Sequence, residues 1–171
     1  MVEHGDVAGV WLKIAKKGSG IPSLTDDEAV DLGLCHGWIS GQRKPYDAVH
    51  YLQKYVPRRP RSLWSQVNVA KVGELIAAGR MRPAGLAEVE AAQADGRWAA
   101  AYPSQRNATV PPDLAAALAA SPPLAEAFGA LNKTQQYVLL VKLLTARTAT
   151  ARAAQLRRTL VALEAPSGAL T

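Results

Sequence analysis

Trp38-Ile-Ser-Gly-Gln-Arg43, Lys44-Pro-Tyr-Asp47 and His50-Tyr-Leu-Gln-Lys-Tyr-Val56 stand close together in the first third of the chain. The first and last stretches carry aromatic and branched residues, and the middle one holds the proline and aspartate of a turn. They read as an extended hairpin that ends at Pro57 and Pro60. The alternation is imperfect, which leaves the pairing register open. Upstream, Val10-Trp-Leu-Lys-Ile14 is another short strand. Trp11 and Lys13 fall on one face, and Val10, Leu12 and Ile14 on the other.

Helical signals fill the rest. Lys16-Lys-Gly-Ser-Gly20 lacks the spacing of a phosphate-binding P-loop and reads as a turn. Thr25, followed three residues later by Glu28, is a capping box; Ala29, Leu32 and Cys35 or His36 extend one face until Gly37. Ser62 caps a single turn carrying Trp64. Val69, Val72 and Ile76 share a face that Gly79 ends. Pro83 opens a helix with Leu86, Val89 and Ala92, which runs to Asp95-Gly96. Residues 97–102 form one further turn, and residues 103–112 are a polar connector.

Four helices follow. The first starts at Asp113 with Leu114, Ala117 and Leu118 inward. The second carries Leu124, Ala127, Phe128 and Leu131. Asn132 caps the third, striped by Tyr137, Leu140, Val141 and Leu144. Thr148 or Thr150 caps the last. Its stripe is Leu156, Leu160 and Leu163, with Arg147, Arg152, Arg157 and Arg158 outward. The tail past Glu164 reads as frayed. The expected fold is α+β: a small antiparallel sheet with packed helices over residues 1–104, continuing into a helical carboxy-terminal bundle over 105–171 of the same compact domain.

Composition bounds the function. The chain has 171 residues, about half of them hydrophobic, and a net charge of +6. No apolar run approaches the ~20 residues of a membrane span. Residues 1–17 hold no signal-like apolar core. One cysteine excludes an intrachain disulfide and suits a reducing cytoplasm. His4, His36 and His50 give no metal-ligand spacing, so neither metal nor cofactor is expected. The positive charge permits attraction to anions.

The chain resembles the bacterial YdeI/OmpD-associated, or bacteriocin-protection, proteins. The resemblance rests on Gly9-Val-Trp-Leu-Lys13, Lys16-Lys17, Cys35-His-Gly-Trp-Ile-Ser-Gly-Gln42, Pro57-Arg-Arg59 and Ser62-Leu-Trp-Ser65. Gly79-Arg-Met-Arg-Pro-Ala-Gly85 and Ala94-Asp-Gly-Arg-Trp98 add to it. It implies a bacterial cytoplasmic protein with a link to antimicrobial-peptide or stress resistance, and no established reaction. Three departures stand out. Ser40 replaces an aspartate common in the family. Tyr55-Val56 replaces Phe-Thr. The paired arginines near the carboxy terminus are only partly kept, as Arg152 followed by Gln155.

The candidate surface is the Trp/Arg block. Arg43, Arg58 and Arg59 supply forked charge for carboxylate or phosphate, together with Lys13, Lys16, Lys17 and Arg61. Trp38 and Trp64 supply stacking, and Ser40 and Gln42 supply orientation. The expected role is non-enzymatic binding of an anionic small molecule or protein partner. One alternative is an enzyme using Cys35 or His36, although adjacent helical residues point about 100° apart. Another is nucleic-acid binding, for which no sequence motif speaks.

Overall fold

The computed structural model describes residues 8–165. His4 and the tail past Ala165 lie outside the described residues. The fold is α+β, as the sequence implies. In chain order the elements are β1 (Val10–Ala15), α1 (Asp26–Cys35), β2 (Trp38–Pro45), β3 (His50–Pro57), α2 (Gln66–Ala77) and α3 (Pro83–Ala94). Then come α4 (Pro112–Ala120), α5 (Pro122–Ala130), α6 (Lys133–Leu144) and α7 (Ala149–Glu164). The chain divides into two compact units. Among the described residues, 8–62 and 68–95 form the first, and 63–67 and 96–165 the second.

In the first unit the three strands are antiparallel in the order β1-β3-β2. Val10 pairs with Tyr55 and Ile14 with Tyr51, so the apolar side of β1 meets Tyr51 and Tyr55 on one face. That face packs with Ala29 of α1 and with Trp38 into one core cluster. Gly33 of α1 seats against the Tyr55 ring: a Cβ there would stand 3.0 Å from it. The capping box is present, with Thr25 Oγ1 accepting from Glu28 N and Thr25 N donating to Glu28 Oε2. Gly37 turns the chain into β2 with φ +74°, a conformation few side chains adopt. Its carbonyl accepts from Arg58 N at 2.9 Å.

Two helices complete this unit. Lys71 of α2 reaches Asp31 of α1 at 3.0 Å. Gly85 of α3 sits against the last carbonyls of α1: a Cβ there would lie 2.7 Å from Leu34 O and closer still to Cys35 O. Arg82 N donates to Cys35 O at 3.1 Å. The expected stripes hold in part: Ala29, Cys35, Val72, Val89 and Ala92 are buried. Leu32, Ile76 and Leu86 are exposed, while Leu34, Leu75 and Gly85 are buried. Alanine fills five of the twelve positions of α3, so side-chain hydrophobicity contrasts little around its axis. Neighbour shape then sets the buried face.

The second unit has its own core of Leu114, Phe128, Leu139, Leu140, Leu143 and Leu163. Asn132 and Gln135 form a second capping box, and Thr148 caps α7. Trp64 is not on a helical turn. It stands just before the start of α2, its ring edge-on to Trp98 at 4.9 Å. The next residue, Ser65, bridges Tyr102. Arg152 does not point outward: it holds Asp113 of α4 through two bonds of 2.7 and 2.8 Å.

Candidate functional site

A β-bulge in β2 decides which side chains reach the surface of the first unit. Ser40 pairs with Tyr55, but Arg43, not Gln42, pairs with Gln53. One extra residue in β2 inverts the alternation beyond it. Gln53, almost fully buried, fills the gap. Its Nε2 donates to the carbonyls of Gly41 and Gln42 at 3.0 and 3.2 Å. The inversion turns Arg43 toward α1 and Lys44 to the opposite face.

Arg43 is thereby committed. Its Nη2 meets both oxygens of Asp26 at 2.7 Å, and its Nε donates to Gln53 Oε1 at 2.8 Å. It also lies over the Tyr51 ring. The bond to Asp26 raises its already high pKa. Burial and the nearby Asp26 charge push the Tyr55 hydroxyl up to about 12.

Of the other residues singled out in the sequence, Trp38 is 4% exposed and belongs to the core. Arg58 is 6% exposed and Trp64 2%, the latter in the second unit. Ser40, Gln42 and Arg59 are exposed, so a partner can reach them. Cys35 is buried, and that burial raises its thiol pKa; burial lowers the His36 pKa. Neither shift prepares a reactive pair. Lys16 Nζ is held by the carbonyls of Asp47 and Ala48 at 3.1 and 3.0 Å, so it clasps the hairpin turn. Among the described residues no group of three His, Cys, Asp or Glu is placed to hold a metal.

The face turned away from α1 carries the concentrated charge. Trp11 pairs with Lys54, and Lys13 with Leu52, which pairs with Lys44. All five side chains share that face. The Lys44 ammonium lies 4.5 Å from the Trp11 ring centre and the Lys54 ammonium 5.8 Å. Lys13 lies 4.6 Å from the Tyr46 ring. Trp11 and Tyr46 remain exposed. No Asp or Glu occurs in any of the three strands. The sequence places Trp11 beside Lys13 but not Lys44, whose face depends on the bulge, or Lys54, whose place opposite Trp11 depends on the β1–β3 register.

Comparison with known proteins adds family membership. Residues 107–165 match the family described as bacteriocin-protection, YdeI or OmpD-associated. Residues 1–88 match a domain of unknown function, DUF8412. No curated protein and no solved structure matches the chain. No helix among the described residues is long and apolar enough to cross a membrane.

Proposed function

We propose, for a chain that belongs to the DUF8412 family and whose residues 107–165 match the bacteriocin-protection, YdeI or OmpD-associated family, that it is a binding protein whose exposed sheet face receives an anionic partner. The observation that carries this reading is the pair Lys44 and Lys54 over the exposed Trp11 indole, with Lys13 over Tyr46 on the same face, on strands with no carboxylate. Like charges gathered on one sheet face repel, and a bound anion relieves that repulsion. Lysines are mobile point charges, suited to anionic groups spaced along a partner. A single compact carboxylate is better served by an arginine fork. Solubility alone would also place lysines on a sheet face, but it does not require two of them to converge on one indole.

A second reading, single-stranded nucleic acid, is favoured by Trp11 itself. An exposed indole among cations is a stacking platform for a base. An enzyme built on Cys35 and His36 finds less support, given the buried thiol and its raised pKa.

Fluorescence anisotropy with labelled oligothymidylate, and competition by base-free polyphosphate, tests both readings across a salt series. Each phosphate contact contributes roughly 0.7 to the slope of log K against log salt for a single strand. Replacing Lys44 and Lys54 together by Gln should flatten that slope by about 1.4. Trp11→Ala should weaken the oligonucleotide and leave polyphosphate unchanged if bases stack there. Equal effects on both would remove the nucleic-acid reading and keep the anion reading. Absence of binding to either polymer at low salt would remove both.

A further inference from the structure

The second unit contains a cleft of about 640 Å³ between residues 105–110 of the connector and α6. We infer that it is a binding site for a small carboxylate with an apolar body. Its α6 wall is Lys133, Gln136, Tyr137 and Leu140. That spacing, i, i+3, i+4 and i+7, is one helix face. Ala108 and Leu140 form an apolar floor continuous with the core of this unit. Val110, on the connector side, adds a partly exposed apolar wall.

The polar groups divide into those that build the cleft and those left for a ligand. Tyr137 Oη donates to Pro103 O at 2.9 Å, which ties the connector to α6. Gln136 Nε2 donates to the carbonyls of Phe128 and Leu131, both at 3.1 Å, which fixes the α5–α6 junction. Gln105 Nε2 reaches Thr134 Oγ1 at 3.5 Å. The walls are therefore set without a ligand. Arg106 and Lys133 are exposed on the same cleft and form no ion pair or side-chain hydrogen bond among the described residues. No Asp or Glu lines the cleft.

Two uncompensated cations over an apolar floor define the ligand class. Ligand pockets commonly span roughly 300–1,000 Å³, so the space suits a small molecule. The Arg106 fork can take a carboxylate at two points while the Lys133 ammonium adds charge. The floor needs an apolar body beside that charge. It would disfavour a bare phosphate, which carries more charge and has no apolar part. Lys133 opens α6, so the helix dipole adds to the same positive potential. This site lies in a different unit from the lysine–indole face, and either can fail without the other.

Isothermal titration of the full chain with octanoate tests the inference, with acetate supplying charge without body and 1-octanol body without charge. Octanoate should bind, with both controls much weaker. Arg106→Ala and Lys133→Ala should each weaken octanoate about tenfold or more, the scale of a lost charged hydrogen bond. Lys142→Ala, on the same helix but off the cleft, should leave it unchanged. All three replaced side chains are exposed, and an unaltered urea transition would show that the variants remain folded. Three outcomes would each overturn the inference: no octanoate binding in the millimolar range, octanol matching octanoate, or affinity indifferent to Arg106 and Lys133.

Discussion

The same substitution at two helical glycines should change stability in opposite directions. Gly73 lies inside α2, and a Cβ there meets nothing within 4 Å. Gly→Ala at such a site gains roughly 1 kcal/mol from helix propensity and from a less free unfolded chain. Gly85, in α3, also has ordinary helical φ, so space and not conformational freedom requires glycine there. Its Cβ would press on the carbonyl oxygens of Leu34 and Cys35, which are backbone and cannot swing aside. Overpacking of this kind costs about 1–3 kcal/mol. Relief by separating α3 from α1 would strain the Arg82 N to Cys35 O bond. Against a propensity gain that is small this near the helix start, Gly85→Ala should be destabilising by about 1–2 kcal/mol. Both glycines belong to the first unit, so its own unfolding transition reports both. For a unit of this size about 1 kcal/mol moves Tm by roughly 4–8 °C. The two variants should therefore differ by about 10–20 °C, with wild type between them. Gly85→Ala matching or exceeding wild type in thermal and urea unfolding would refute the steric argument.

Three further outcomes are expected. The bond to Arg152 holds the Asp113 pKa below its ordinary 3.8. A depressed carboxylate stabilises the fold above the unfolded pKa and loses that contribution as pH falls through the folded one. Asp113→Asn should cost about 1–3 kcal/mol at neutral pH, and urea titrations should show its deficit shrinking as pH drops below about 4. Thr159 is 1% exposed, and its Oγ1 has no hydrogen-bond partner among the described residues. Thr159→Val should be neutral or stabilising by up to about 1 kcal/mol, and a clear loss of urea midpoint would count against that accounting. Cys35 should react slowly with iodoacetamide in the native protein and rapidly in denaturant, since it is 3% exposed with a raised thiol pKa; rapid native labelling would reopen the nucleophile reading.

Local chemistry was legible in the sequence. The capping box at Thr25, the Asn132 cap, the hairpin, the proline-led start of α3 and the break at Gly79 depend on residues a few positions apart. Short-range hydrogen bonding and fixed backbone angles leave such segments few alternatives. Only the tertiary structure could decide which faces are buried and which charges are spent. Arg43 and Arg152 read as free surface cations, yet each finds a carboxylate far along the chain. Trp38 and Trp64 read as stacking surfaces, yet a chain with one phenylalanine fills its cores with indoles. The lysine–indole face shows the limit most directly. Lys44 reaches Trp11 only because one extra residue in β2 inverts the alternation, and the position of a bulge is fixed by strand pairing and by Gln53 filling it.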